Sequence, residues 1–273
     1  MVDMHIHTKY SDGDYTIPEI INKLKEKNIK LFSITDHDNI NSCYEMENIK
    51  LENMIYIPGI EFSSKLNDIK CHILGYNIDY KNPIIQKECN KIKLRRINKI
   101  VKLAQHLTEN GIEITEKEFN DILYKNGTFG KIDICRILMK KGYGKKEEIY
   151  DKYLEIPLPN HRSNASEIIK TIKKADGISI LAHPKEIEEE YRINIDDIIR
   201  EYIELGIDGI ETYNSIHTLK DVKRYIEIAK KYNLITTGGS DFHGSNHPER
   251  ILGTTTTKQK ILKLKEINFS SKK

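Results

Sequence analysis

The residues that could do chemistry stand where apolar runs stop. His5-Ile6-His7 comes first: in an extended segment residues two apart share a face, so both imidazoles project together. Two imidazoles on one face suit a transition metal. Asp12-Gly13 follows in a turn. Thr35-Asp36-His37-Asp38 closes the run 31–34, Gly59-Ile60-Glu61 is read as closing another, and His72 sits inside 71–76 with Cys71 on the opposite face. Ala182-His183-Pro184 ends the run 178–182, and Asp241-Phe242-His243 repeats the two-apart spacing of His5 and His7. Each has a plain structural reading: an exposed polar pair on a strand edge, a turn aspartate, a capping acid, a histidine satisfied in the core. Those readings do not account for the set. Metal-capable side chains end strand after strand, at the rim where a β/α barrel carries its site.

The elements that must position them follow from periodicity. Strands are predicted over residues 2–6, 31–34, 55–57 and 71–76, then over 178–182, 209–212 and 234–237. Thr16-Ile17-Pro18-Glu19 opens a helix with a capping residue and an early proline. Further helices fall near 195–205 and 219–232. Strands alternating with helices argue for a parallel sheet, open or closed into a barrel. The stretch 83–158 differs: it is helical near 84–109, 116–124 and 131–140, with Gly111, Gly127 and Gly142 as stops and Pro157-Leu158-Pro159 as its exit. The expected organisation is a β/α barrel from residues 1–82 and 159–273, with 83–158 as a helical insertion subdomain.

Composition narrows the partners. With 44 basic and 41 acidic residues the net charge is only +3, which gives no strong field for duplex DNA. Cys43, Cys71, Cys89 and Cys135 form no Cys-x-x-Cys pair, so a reducing compartment is expected. The first residues carry neither a basic nor an apolar leader region, and no apolar run approaches the roughly 20 residues needed to span a bilayer. A cytoplasmic protein without membrane contact is expected.

Together, His5-x-His7, Ser11-Asp12-Gly13, Thr35-Asp36-His37, Gly59-x-Glu61, His72, Ala182-His183-Pro184 and Ser240-Asp241-Phe242-His243-Gly244 resemble the PHP (polymerase and histidinol phosphatase) family. The nearest branch in pattern is the bacterial one acting on 3′,5′-bisphosphonucleotides and 5′ ends of short RNA. The resemblance implies a distorted (β/α)7 TIM-like barrel with a helical insertion and a trinuclear metal centre. His5, His7, Glu61 and Asp241 would hold one metal. Glu61 would bridge to a second, completed by His72 and His183. Asp12, His37 and His243 would hold the third. Aspartate at 12, where other branches have histidine, makes that site harder, so Mn²⁺ is expected, with Fe²⁺ or Zn²⁺ as alternatives. Glu61, His183 and Asp241 would serve catalysis directly, and Asp36, with Asp38, would orient ligand imidazoles.

The implied activity is hydrolysis of a small phosphorylated substrate or short single-stranded RNA, by in-line attack of a hydroxide held at the metals. A small-metabolite phosphatase or cyclic phosphodiesterase is the alternative. A non-catalytic or proofreading accessory domain would show degraded ligands or an attached polymerase. One departure touches the substrate: Gly130-Lys131-Ile132-Asp133 stands where relatives often read Gly-Arg-Pro-His, so an arginine fork is lost. Arg95, Arg96, Lys131 and Arg162 are the candidate phosphate clamps, and His217, with Tyr213, could line the pocket. His106, His161 and His247 match no ligand position.

Overall fold

The computed structural model describes residues 1–125 and 127–253. The expected barrel segment 159–273 therefore runs on past the described residues. Its opening part holds β1 (Val2–Asp3), α1 (Ile17–Glu26), β2 (Leu31–Phe32), α2 (Asn41–Met46), β3 (Ile55–Tyr56), β4 (Gly59–Leu66) and β5 (Ile69–Tyr76). Helices α3 (Pro83–Glu109), α4 (Glu116–Leu123), α5 (Lys131–Lys140) and α6 (Lys146–Ile149) follow, with a π-helical turn at Tyr150–Leu154. Alternation then resumes through β6 (Ser163–Asn164), α7 (Ala165–Lys174), β7 (Ile178–Leu181), α8 (Pro184–Tyr191), α9 (Ile195–Glu204), β8 (Gly209–Tyr213), α10 (Leu219–Lys231) and β9 (Ile235–Gly238).

The strands form a mixed α/β architecture. A parallel 3-stranded sheet is ordered β1-β2-β3, and a 6-stranded sheet β6-β4-β5-β7-β8-β9. In the larger sheet β5 runs antiparallel to both β4 and β7, and the other pairs are parallel. The wholly parallel sheet expected from the alternation is thus corrected. Gly59-Ile60-Glu61 also opens a strand where the sequence suggested an end. β4 and β5 make a hairpin in full register from Gly59↔Tyr76 to Leu66↔Ile69, turning through Asn67 in the left-handed region. Single bridges, Ile6↔Phe242 and His37↔Glu61, connect the two sheets.

Burial explains why these elements hold. The amphipathic helix α1 buries Ile17, Ile20, Ile21 and Leu24 against Ile6, Phe32 and Ile34. Truncating Ile20 to alanine there would cost about 2–5 kcal/mol. Ile60, Phe62 and Leu66, on one face of β4, join the largest apolar cluster with Ile168, Ile169 and Ile172 of α7. The alternate residues Glu61 and Ser63 face the other way, a period of two that aims the chemistry inward. Residues 83–158 contain only helical elements among those described, with a cluster of their own including Ile100, Leu103, Ile134 and Leu138.

Candidate metal centre

Glu61 is the hub. Its side chain is fully buried, and its Oε2 lies 3.1 Å from His5 Nε2, from His7 Nε2 and from His37 Nδ1. The other oxygen, Oε1, lies 2.9 Å from His183 Nε2 and 3.2 Å from His72 Nδ1. Asp241 Oδ1 closes the first face at 3.3 Å from His5 Nε2 and 3.2 Å from His7 Nε2. Asp12 stands across from it, with Oδ1 3.2 Å from His243 Nε2 and Oδ2 3.7 Å from His37 Nε2. Every ligand position expected from the sequence is brought together, in four overlapping groups. His7 also joins Asp12, His37 and His243, and Glu186 joins His72 and His183.

Backbone geometry sets these directions. Asp38, His183 and Asp241 all take positive φ, at 51°, 23° and 55°. Such strain in non-glycine residues persists where surrounding contacts over-determine it, and it gathers at functional sites. At Gly239 a Cβ would lie 2.3 Å from the backbone nitrogen of His5, so only glycine lets the exit of β9 press against that segment. That approach lets Asp241 N–H donate to His5 O at 2.8 Å.

The donor set fits divalent cations. His5 Nε2, His7 Nε2, His37 Nδ1, Glu61 Oε2 and Asp12 Oδ1 are buried with no hydrogen-bond partner, yet they converge on one another. Two ligands each about 2.1 Å from one ion, at right-angled or tetrahedral geometry, stand roughly 3.0–3.4 Å apart. The separations around Glu61 and Asp241 match that spacing. Protons cannot neutralise the whole cluster. Against burial, Asp241 and Glu61 push His7 up to about 10, whereas burial outweighs Glu61 and Asp12 at His37 and pushes it down to about 3. A neutral His37 lone pair thus faces a carboxylate oxygen, an arrangement that a cation between them satisfies.

Outer hydrogen bonds fix the rings. Glu211 Oε1 accepts from His5 Nδ1 at 3.1 Å, and its Oε2 accepts from His183 N–H at 2.8 Å and Asn214 Nδ2 at 3.0 Å. Glu186 Oε2 lies 3.0 Å from His183 Nδ1 and, with Glu61 and against burial, lifts that ring to about 9. Arg250 spans Glu186, at 2.7 Å, and Asp241. These three residues were missed in the sequence. Glu211 was findable, because an acid at the end of 209–212 obeys the rule applied elsewhere. Glu186 lies three residues beyond His183, one helical turn on. Arg250 left no local signal.

Asp36 and Asp38 make no direct hydrogen bond or ion pair to an imidazole among the described residues. Asp36 accepts from Thr8 N–H at 2.7 Å, Thr8 Oγ at 2.8 Å and Ser11 Oγ at 2.7 Å, and reaches His7 only through Ser11. Asp38 accepts from Ser63 N–H at 2.7 Å and pairs with Arg96.

A cavity of about 530 Å³ opens beside Asp12, His37 and His72, and its opposite wall carries Arg96, Lys99, Lys131, His161 and Arg162. His161 is buried with Nδ1 unpartnered, and Arg162 Nε is buried without a partner. Burial, then Arg162, Arg96, Lys131 and Lys70, push Lys99 down to about 8. Asp133 is engaged otherwise: it accepts from Gly130 N–H at 2.8 Å at the start of α5 and pairs with Lys125 at 2.7 Å. Two expected residues fall outside this wall. Arg95 donates to Arg162 O at 3.2 Å and Ser163 Oγ at 3.0 Å. His217 bonds Thr212 O at 3.1 Å and packs on Tyr225 with ring centres 4.9 Å apart. His106 lies on α3 beside Asn110, away from the cluster, whereas the His247 ring stands 5.1 Å from that of His243.

A buried cluster of imidazoles around a shared carboxylate, open to a cationic cavity, is the arrangement of a metallohydrolase acting on anionic esters. Residues 3–209 match the PHP domain model, and the chain belongs to that family. It is 25% identical over 265 residues, 89% of this chain and 94% of the relative, to a phosphoribosyl 1,2-cyclic phosphate 1,2-diphosphodiesterase from Eggerthella lenta. It is likewise 25% identical over 260 residues, 93% and 91% of the two chains, to a 3′,5′-nucleoside bisphosphate phosphatase from Chromobacterium violaceum. A 5′-3′ exoribonuclease from Haemophilus influenzae is 26% identical over 257 residues, 88% of this chain and 89% of its own. A solved structure assigned as a metal-dependent phosphoesterase from Bifidobacterium adolescentis shares the fold, with a TM-score of 0.79 and 23% identity over 94% of this chain and 92% of that one. The chain is a metal-dependent phosphoesterase. No helix among the described residues is long and apolar enough to cross a membrane.

Proposed function

We propose that this phosphoesterase hydrolyses 3′,5′-bisphosphonucleotides or the 5′ ends of short single-stranded RNA, in the cytoplasm, with up to three divalent ions, Mn²⁺ first among them. His5, His7, Glu61 and Asp241 hold one ion. Glu61 with His72 and His183 holds the second, and Asp12, His37 and His243 the third. When bound, the ions supply Lewis acidity to the phosphoryl oxygens and bring a water pKa towards roughly 7. Glu61 keeps the two ligand faces in register, Glu211 holds His5 with its Nε2 lone pair directed inward, and Glu186 sets a carboxylate 3.0 Å from His183 Nδ1. The architecture is a distorted seven-stranded ring, in which β4, β5, β7, β8 and β9 are continued by β1 and β2. The bridges Ile6↔Phe242 and His37↔Glu61 support that closure. Residues 83–158 are its helical insertion.

The observation carrying the substrate is the basic wall, on which Lys99, Lys131 and Arg162 have no carboxylate within ion-pair distance among the described residues, whereas Arg96 is paired with Asp38. His161 and Arg162 present buried, unpartnered nitrogens beside a desolvated Lys99, and an anion is what such a wall lacks. A phosphate at the metals and another anion on this wall describe a substrate with two phosphates in reach of each other. Arg96, Lys131 and Arg162 are the clamps, and the named activities of the Chromobacterium and Haemophilus relatives agree with this reading. The Eggerthella relative favours a second reading, a cyclic sugar-phosphate diesterase. An accessory, non-catalytic role fits poorly with a full set of donor side chains. The test is a substrate panel on Mn²⁺-loaded protein. Faster turnover of a 3′,5′-bisphosphonucleotide or a 5′-phosphorylated RNA than of the matched monophosphate is expected. Equal rates on both, with a cyclic sugar phosphate far ahead, would promote the second reading.

A further inference from the structure

The cationic cavity is not the last space along this wall. Beyond the Arg96–Asp38 ion pair lies a second cavity of about 420 Å³, between α2, α3 and the segment leading to α5. Both cavities are lined by Arg96, Lys125, Thr128 and Phe129, so they adjoin along this segment. The second is basic too, with Lys93, Arg96 and Lys125 against one acid among the described residues, Asp38, which is already held by Arg96.

Beside that charge it offers aromatic rings and carboxamides. Tyr124, which lines this cavity, is 80% exposed, so most of its ring is open to a ligand. Tyr44 is partly exposed and held in place, edge-on to Tyr80 at 5.2 Å, with its hydroxyl accepting from Gln86 Nε2 at 2.7 Å. Asn39 and Asn90 contribute further amides, and Lys93 adds a cation. Rings for stacking, amides that both donate and accept, and a lysine for a backbone phosphate match a nucleoside, and the volume lies within the range of ligand pockets.

We propose that this second cavity receives the nucleoside next along the strand from the nucleotide at the metal centre. The substrate is then a short single-stranded RNA, and a free bisphosphonucleotide fills only the first cavity. This rests on the phosphoesterase reading above and specifies its substrate. Tyr124 and Tyr44 are specificity residues here, removed from the metal ligands, and Tyr124 supports no packing whose loss would unfold the chain.

The experiment compares KM for a 5′-phosphorylated trinucleotide and for 3′,5′-bisphosphoadenosine, using Mn²⁺-loaded wild type, Tyr124→Ala, Tyr44→Ala and Tyr124→Phe. Losing one stacking partner raises KM for the trinucleotide by about 5- to 100-fold. KM for the bisphosphate stays within twofold, and Tyr124→Phe, which keeps the ring, behaves as wild type. An unchanged trinucleotide KM in both alanine variants overturns the proposal, as does an equal rise on the two substrates. A wild type that cleaves the bisphosphate and ignores the trinucleotide also overturns it and leaves the preceding reading intact. Cleavage of neither, with turnover of a cyclic sugar phosphate, removes both.

Discussion

Replacing Glu211 by glutamine would test whether the metal centre depends on a residue that binds no metal. The carboxylate accepts from three donors: His5 Nδ1 at 3.1 Å, His183 N–H at 2.8 Å and Asn214 Nδ2 at 3.0 Å. Glutamine has the same shape but one acceptor oxygen and an NH2. If the NH2 faces His5, the imidazole can accept only by moving its proton to Nε2, which removes the lone pair aimed at the metal. If it faces His183, donor meets donor, and the orphaned buried group costs about 1–3 kcal/mol. Loss of such an outer partner typically weakens a metal site 10–100-fold, or about 1.4–2.7 kcal/mol. Calorimetric titration of metal-free protein with Mn²⁺ reads this directly, and far-ultraviolet circular dichroism checks the fold. A folded Glu211→Gln protein binding Mn²⁺ within twofold of wild type would refute the argument.

Three further outcomes follow from the same geometry. Glu61→Gln should abolish turnover and weaken two metal positions at once, while His106→Ala, a half-buried residue of α3 outside the cluster, should leave turnover nearly unchanged; rates and metal content of the purified variants decide it. Protein prepared without chelator and reconstituted with Mn²⁺ should hold more than two equivalents by elemental analysis, and one or none in a folded sample would exclude a trinuclear centre. Lys99 is charged below its lowered pKa of about 8 and neutral above it. The ratio of KM values for bisphosphate over monophosphate should therefore rise as pH passes through 8, and Lys99→Met should flatten that profile; a flat wild-type profile counts against Lys99 as an anion ligand.

The residues that converge on Glu61 were legible because they obey strict local rules. His5 and His7 share a face through the period of two, and His183 and Asp241 stand where apolar runs break. The β4–β5 hairpin was harder to see: Ser64 interrupts the apolar alternation of Ile60, Phe62 and Leu66, so the run looked finished at Glu61. Antiparallel pairing of β5 with β7 leaves no local mark, since direction depends on the path of the chain between them. Arg95 and Arg96 are adjacent, yet helical geometry turns them about 100° apart, and only Arg96 reaches the cavity. Sequence spacing chose the element correctly but not the face. Arg250 gained its role from Glu186 and Asp241, contacts that no spacing rule predicts.

Asp241 and His243 come from nearly the other end of the chain from His5 and His7, and they meet through backbone bonds as well as ligands. During synthesis this makes assembly sequential. His37, Glu61 and His72 are made early and could trap an ion then, whereas the groups containing Asp241 or His243 must wait until residues 241–243 have emerged. The entropy of closing so long a loop is offset only when the ends dock, and a bound cation adds its own free energy to that docking. A cation held there would act as a clasp between the segments around His5 and Asp241, and its loss would loosen them before it disturbed the hairpin between them.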